Sequence, residues 1–243
     1  GNMTSGLEFM RRQKDVDNDD DKFILSTPLI VDSSGKKFGK SEGNALFLNS
    51  KMTSIFEIYQ YFINVMDEDV ERFLKIFTLL SDKKIAKVMA SFNENKSNKL
   101  GHHVLASNVV HLTHGKEYIP LCEELSQLLF RQKVLLQYLN DHKGKANIFD
   151  KFTPIFNFQQ IREDDETDMY EVVKMLDPGM QERNITTCLN GGFKYFGNDD
   201  TFNSINYVKG ETTFKKVVAN CQLINDKYVI FRLGKTSIKV IEI

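Results

Sequence analysis

The stretch ILSTPLIVDSSGKKFGKS occupies residues 24–41 and bears more on the fold than any other part of the chain. Its first half, residues 24–31, is rich in apolar residues and predicts a β-strand. Its second half places Lys37 and Lys40 three residues apart among glycines. Glycine lets the backbone reshape around a ligand, and a lysine ammonium can follow phosphate oxygens as charge moves. The pattern predicts a strand that runs into a loop around an anionic ligand.

Two other interpretations of this loop remain open on its residues alone. A Walker A phosphate loop requires G-x-x-x-x-G-K-[ST] between a strand and a helix. Only three residues separate Gly35 from Gly39, and no helical pattern begins at Ser41, so the Walker A interpretation is disfavoured. A basic surface turn is the ordinary interpretation of any cluster of glycine, lysine and serine.

The composition limits the class of protein. The 243 residues include 32 basic and 33 acidic residues, a net charge of −1, which excludes a uniformly basic nucleic-acid coat and a highly charged disordered tail. The three cysteines are odd in number and far apart, which argues against a disulfide framework and favours a reducing compartment. No apolar run approaches the roughly 20 residues of a membrane helix, so no membrane partner is predicted.

Residues 54–130 have the spacing of amphipathic helices. Apolar side chains recur every three or four residues, beginning with Ile55, Ile58 and Tyr59. Ser54 and Glu57 form a capping-box pattern at the start, and Gly115 is a plausible helix stop. The pattern predicts four or five helices packed as a bundle.

The C-terminal part has the pattern of a small α+β domain. Residues 228–233 and 237–243 are strand-like and flank a turn at Gly234 and Lys235, which predicts a hairpin. Residues 209–243 contain seven basic and three acidic residues, a balance that suits phosphate contact. Residues 141–165 mix aromatic and charged residues and indicate a linker.

No metal site is predicted. The aspartates at 15, 17 and 19 imitate the start of a calcium loop, but Asp20 stands where a glycine is required and Ser26 where a glutamate is required. The histidines at 102, 103, 111 and 114 lack a cysteine or acid to complete a zinc set, and they are interpreted as helix surface or packing.

Several motifs in order resemble bacterial-type tyrosyl-tRNA synthetases. Residues 1–12, GNMTSGLEFMRR, are similar to a helix entry of that family, and residues 37–44, KFGKSEGN, are similar to its Lys-x-x-Lys-Ser/Thr signature loop. Residues 112–115, LTHG, match a later landmark. Residues 191–194, GGFK, and 227–235, KYVIFRLGK, are similar to its small RNA-binding module. The Phe-Gly form of the loop and this module disfavour the related tryptophan enzyme.

The resemblance implies a multidomain α/β plus α fold. Residues 1–50 would be the C-terminal part of a Rossmann-type class I catalytic domain. Residues 51–140 would form the helical anticodon-binding domain, residues 141–165 the linker, and residues 166–243 the small α+β RNA-binding domain.

The resemblance also implies a tyrosine–tRNA ligase, which activates tyrosine with ATP and transfers it to tRNA-Tyr. Lys37 and Lys40 would be catalytic and would hold the departing pyrophosphate. Leu29 and Ile30 would pack on adenine, although core packing at a strand end is an alternative for them. The implied ATP-binding residues are Leu29, Ile30, Lys37, Gly39, Lys40 and Ser41.

The partners implied by the resemblance are tRNA-Tyr, with Arg232 and Lys235 as its contacts, tyrosine, and ATP as its Mg²⁺ complex. The family's basic helix is reduced to Arg183 here, which weakens the expected RNA contact. A homodimer through upstream residues is expected, and the 243 residues alone are expected to be inactive. The mitochondrial matrix is the expected location, with the bacterial cytoplasm as the alternative. The alternative function is a non-catalytic RNA-binding or intron-splicing factor derived from such a synthetase.

Overall fold

The computed structural model describes residues 1–12, 23–31, 33, 35, 45–142, 149–177, 180–224, 227–234 and 237–243. The chain divides into two compact units, Gly1–Phe38 and Gly39–Ile243. Each unit is described by itself below.

The first unit contains one helix among its described residues, α1 (Asn2–Arg12), which has no buried residue. The strand predicted over 24–31 is absent, because residues 23–30 form no regular structure and only Val31 belongs to a β-bridge. Pro28 has no N–H to donate to a ladder, and Leu25 is 91% exposed, so no sheet layer covers it. The described residues of this unit therefore contain one helix and no strand.

The second unit begins with six helices; five of them lie within residues 54–130, as the apolar spacing predicts, and the sixth, Gln132–Asp141, lies beyond that range. The Ser54 hydroxyl accepts a hydrogen bond from the Glu57 amide at 3.2 Å, and a Glu57 carboxylate oxygen accepts one from the Ser54 amide at 2.8 Å. This arrangement confirms the predicted capping box. The helices are α2 (Ile55–Ile63), α3 (Val70–Phe77), α4 (Asp82–Glu94), α5 (Leu100–Thr113), α6 (Ile119–Phe130) and α7 (Gln132–Asp141).

Helix α5 is the centre of this bundle and contacts α2, α3, α4 and α6. Its inward side chains are fully buried, with Leu105 and Val110 both 0% exposed. The helix ends at Thr113, and Gly115 follows with φ 126°, a conformation that favours glycine, as the sequence pattern predicts.

The rest of the second unit is a five-stranded sheet with short helices. The strand order is β1-β5-β4-β2-β3, with β1 parallel to β5 and the other pairs antiparallel. The predicted hairpin is confirmed as the pair β4 and β5. The elements are β1 (Gln159–Gln160), α8 (Met169–Leu176), α9 (Glu182–Thr187), β2 (Phe193–Phe196), β3 (Phe202–Ser204), α10 (Phe214–Val218), β4 (Tyr228–Leu233) and β5 (Ser237–Glu242).

The side chains of β4 alternate between the two faces of the sheet. Val229, Phe231 and Leu233 belong to the apolar core that contains buried residues of α8, α9 and α10. Because successive side chains of a strand point to opposite faces, Tyr228, Ile230 and Arg232 lie on the other face.

Residues 149–161 connect the bundle to the sheet, and several of their apolar side chains are buried. Phe149 and Phe152 are 0% exposed and Ile155 is 1% exposed. The Phe56 amide, at the start of α2, donates to the Ile155 carbonyl at 2.9 Å. This stretch lies inside the expected linker, yet it packs against α2 and ends in strand β1 of the sheet.

Candidate nucleotide and RNA sites

The predicted residues of the lysine loop, Lys37, Gly39, Lys40 and Ser41, lie outside the described residues, and so does Lys235. The structure places the remaining three predicted site residues, Leu29, Ile30 and Arg232.

Leu29 and Ile30 lie in the irregular stretch of the first unit. Leu29 is 69% exposed and Ile30 is 36% exposed. Core packing at a strand end would bury both side chains, and the described residues form neither the strand nor the core. The pair presents apolar surface to solvent just before the lysine loop in the chain.

The segment that follows the lysine loop is held to the second unit by side chains far along the chain. His114 Nε2, just after α5, lies 3.1 Å from the Leu48 carbonyl oxygen. The Asn157 side-chain amide donates to the Ser50 carbonyl at 2.9 Å. The Thr53 hydroxyl accepts from the Phe47 amide at 3.1 Å. Residues 47–50 therefore lie against the end of α5 and the residues before β1.

Arg232 is a partly buried cation on β4. Its guanidinium lies 4.5 Å from the centre of the Phe202 ring, a cation–π contact with β3. Its Nε is buried and has no hydrogen-bond partner within the described residues. Burial lowers the pKa of Arg232 from its usual value, and the group stays charged at neutral pH. Lys194 pairs with Arg232 across β2 and β4, so two basic residues share this region of the sheet.

Most of the basic residues over 209–243 are tied to acceptors within the protein. Lys215 bonds Glu166 at 2.9 Å, Lys227 bonds Glu242 at 2.7 Å, and Lys239 lies 3.7 Å from Glu57. Hydrogen bonds to these acids raise the pKa of Lys215 and of Lys227. The Lys216 ammonium donates to the Glu211 carbonyl at 2.6 Å. The excess of basic residues in the sequence therefore overstates the positive charge that this part of the chain offers to a ligand.

The described residues contain no group of three histidine, cysteine or acidic side chains that could hold a metal ion. All three cysteines are free and buried, and burial raises the pKa of each thiol. Over the part of the chain that the structure describes, no helix is both long and apolar enough to span a membrane.

The family comparison gives a direct match. The family model described as tRNA synthetases class I (W and Y) matches residues 1–131, more than half of the chain. The chain belongs to this family. The tryptophan and tyrosine members are the W and Y of that description, and the similar proteins below are all tyrosine-specific.

The curated relatives of this synthetase chain include bacterial tyrosine–tRNA ligases. The Streptococcus pyogenes serotype M49 (strain NZ131) protein is 34% identical over 242 residues, which are 99% of this chain and 53% of that protein. The serotype M3 (strain SSI-1) protein is 33% identical over the same length. The chain thus spans about half the length of the curated relatives it matches.

Two solved structures are also similar to parts of this synthetase chain. A C-terminally truncated Aspergillus nidulans mitochondrial tyrosyl-tRNA synthetase is 40% identical, with a TM-score of 0.35, over 36% of this chain and 26% of the other. A C-terminally truncated Coccidioides posadasii mitochondrial tyrosyl-tRNA synthetase is 36% identical, with a TM-score of 0.35, over 40% of this chain and 25% of the other. Proteins similar to this synthetase chain thus include both bacterial and mitochondrial ones.

Sequence reasoning missed His114 and Asn157, whose side chains hydrogen-bond the segment that follows the lysine loop. His114 is interpreted from the sequence as helix surface or packing, or as a cation near the C-terminal end of a helix dipole, and Asn157 carries no pattern at all. A hydrogen bond to a carbonyl 66 or 107 residues away leaves no local signature, so only the folded synthetase chain shows it.

Proposed function

We propose that the full-length protein that contains this chain is a tyrosine–tRNA ligase. The observation that carries the proposal is the 34% identity to a tyrosine–tRNA ligase along 99% of the chain. The lysine motif of residues 37–41 supports it, because a class I synthetase needs mobile cations beside the phosphates of ATP.

The proposed chemistry has two steps. The tyrosine carboxylate attacks the α-phosphorus of ATP, an oxygen–phosphorus bond forms, and the bond to pyrophosphate breaks. A ribose hydroxyl at the tRNA 3′ end then takes the tyrosyl group, and AMP leaves. Negative charge builds on the leaving pyrophosphate in the first step, and Lys37 and Lys40 would stabilise it there. An interaction that strengthens in the transition state raises the rate more than it raises ground-state affinity.

The remaining ATP contacts follow from the same proposal. Gly39 and Ser41 complete the loop around the phosphates. Leu29 and Ile30 would cover adenine, and their exposure leaves their apolar surface accessible to a planar ring. Mg²⁺ enters as the complex with the nucleotide, whose phosphate oxygens are ligands that this ion prefers.

The second unit would bind tRNA-Tyr. We assign anticodon binding to the bundle of residues 51–140 and a further RNA contact to residues 166–243, with Arg232 and Lys235 as contacts there. The cation–π contact fixes the position of Arg232 before RNA arrives, which reduces the entropy lost on binding. A homodimer and a mitochondrial location belong to the same proposal, and the Asn- and Lys-rich composition supports the location.

The test is tyrosine-dependent exchange of pyrophosphate into ATP by the full-length protein. Lys37→Ala with Lys40→Ala should lower the exchange rate by about 100-fold or more, in the range seen when one transition-state donor is removed. The KM for ATP should change much less. Lys36→Ala is the matched control, since it removes a neighbouring lysine outside the motif, and it should leave the rate nearly unchanged.

Two results would contradict the proposal. One is a double variant that activates tyrosine as fast as the unaltered protein. The other is an unaltered full-length protein that binds RNA but exchanges no pyrophosphate, which would favour the non-catalytic RNA-binding or splicing factor.

A further inference from the structure

Helix α4 carries a group of exposed lysines that the proposed function does not use. Lys83, Lys84 and Lys87 are all exposed, while Ile85 and Phe92 of the same helix are 2% and 1% exposed in the bundle core. Residues three and four apart are neighbours on a helix surface, with Cβ atoms about 5–6 Å apart. We call these three residues the α4 lysine patch.

The α4 lysine patch differs from the acid-bonded lysines of the second unit in its lack of partners. Within the ranges that the structure describes, none of its three ammonium groups makes an ion pair or a hydrogen bond. In contrast, Lys75 on the preceding helix bonds Glu71 at 2.6 Å. Lys215 and Lys227 likewise bond acids at 2.9 and 2.7 Å.

The placement of the patch is unfavourable for the unbound protein. Its lysines lie in the first half of α4, near the positive end of the helix dipole, and Asp82 is the only acidic residue in the first turn. Like charges three and four residues apart also repel each other. An anionic ligand with several charges would remove both penalties at once, whereas a single small anion would neutralise only one lysine.

The neighbouring surface favours a nucleic acid as that polyanion. Leu79, in the turn just before α4, is 87% exposed, and Ile76 near the end of α3 is 44% exposed. A nucleic-acid backbone alternates phosphates with ribose and base surfaces, so it can neutralise the lysines while it covers apolar side chains nearby in the chain.

We propose that the α4 lysine patch binds the phosphate backbone of the tRNA, and that it supplies more electrostatic affinity than the acid-bonded lysines Lys75, Lys215 and Lys227. This inference rests on the proposed function. The inference differs from what the number of basic residues in the sequence suggests, because that number places the most basic surface in residues 209–243. The reason is that a lysine already bonded to a carboxylate releases less free energy on phosphate contact than a lysine with no partner.

The test compares two triple variants of the full-length protein that lose the same net charge. The first is Lys83→Gln with Lys84→Gln and Lys87→Gln. The matched control is Lys75→Gln with Lys215→Gln and Lys227→Gln, which removes three acid-bonded lysines. The measurement is the dissociation constant for tRNA-Tyr by fluorescence anisotropy, from about 50 to 300 mM KCl.

The patch variant should lower the slope of log affinity against log salt by about two to three, because each phosphate contact contributes roughly 0.7–0.9. The control should lower the slope by less than one. A Lys→Arg triple variant of the patch should keep the unaltered slope, since it keeps the charges, and circular dichroism of all variants checks that they fold.

The proposal is overturned if the patch variant keeps the unaltered slope, or if the control loses as much slope as the patch variant. Unchanged tRNA binding together with lost binding to phosphatidylserine vesicles would also overturn it, in favour of a membrane surface. Failure of the unaltered protein to bind tRNA-Tyr would instead contradict the proposed function, so the two failures are distinguishable.

Discussion

His102 shows how one buried side chain constrains the bundle at the residue scale. It is 1% exposed, and its Nε2 lies 3.0 Å from the Val65 carbonyl oxygen, which can only accept a hydrogen bond. Nε2 therefore carries the proton in the neutral ring. Nδ1 is buried without a partner among the described residues, and the Phe92 ring packs edge-on at 5.3 Å. A second proton, on Nδ1, would have no acceptor among the residues that the structure describes.

The stability of the second unit should therefore depend on pH through His102. Burial lowers the pKa of His102 below its ordinary value of 6.5, with Lys99 and His103 acting in the same direction and the bond to Val65 and the charge of Asp67 opposing them. In the window below about pH 6.5, the unfolded chain binds more protons than the folded chain, so the free energy of unfolding falls as the pH falls.

Hydrogen exchange of α5 amides in the full-length protein between pH 5 and 8, corrected for intrinsic exchange rates, measures this dependence. His102→Gln keeps a side-chain donor for Val65 and cannot take up the proton, so it should reduce the dependence below pH 6.5; His103, whose pKa is also lowered by burial, should contribute the rest. His111→Gln, an exposed substitution on the same helix, should leave it in place. An unchanged profile in His102→Gln would contradict the role of this ring.

At the element scale, the sequence predicts helices better than it predicts short strands and connecting segments. The apolar spacing and the capping box locate α2, and alternation locates the hairpin of β4 and β5, because these patterns are local. Strand β1 is only Gln159–Gln160, and it exists because β5 lies alongside it, so no local pattern could reveal it. The apolar residues 24–31 show the reverse error, since residues 24–30 have a strand-like pattern but form no regular structure.

For the candidate sites too, local sequence patterns are visible and long-range contacts are not. The lysine loop and the basic hairpin are predicted as sites because their residue types and spacing are visible in the sequence. Whether a lysine is free or bonded to an acid depends on contacts such as Lys215 with Glu166, 49 residues apart, and the sequence does not show them.

Gly101 decides how closely α5 approaches its neighbours. A Cβ added at this position would lie 2.8 Å from Val70 Cγ1 and 3.2 Å from the Phe92 ring, and both of these side chains are fully buried. Gly101→Ala should therefore destabilise the second unit by about 1–3 kcal/mol through overpacking, despite the better helix propensity of alanine.

The measurement is the free energy of opening of α5 amides, from hydrogen exchange of the full-length protein. Gly6→Ala is the matched control, because a Cβ there meets nothing within 4 Å and α1 has no buried residue. That control should be neutral or slightly stabilising for its own helix. Equal effects of the two substitutions would show that close packing at Gly101 is unimportant.

At the scale of the whole second unit, aromatic side chains run from the bundle to the sheet. The Phe56 ring of α2 packs against Phe156 at 5.7 Å, and Phe156 packs against Phe158 at 5.0 Å. Phe158 lies 5.3 Å from Tyr228 of β4. Bundle and sheet therefore share buried side chains, and we infer that they open together rather than as two parts joined by a linker.

Phe156→Ala tests this coupling. Loss of a buried phenylalanine removes apolar burial and leaves a cavity, so the free energy of opening should fall by about 3–5 kcal/mol. Because Phe156 lies between the two parts, amides of α2 and of β4 should both lose protection in hydrogen exchange of the full-length protein. Phe9→Ala, on the exposed face of α1 where the side chain is 63% exposed, should change neither. Loss of protection confined to one part would show that the bundle and the sheet fold independently, and the tRNA contacts assigned to each would then have no fixed spacing.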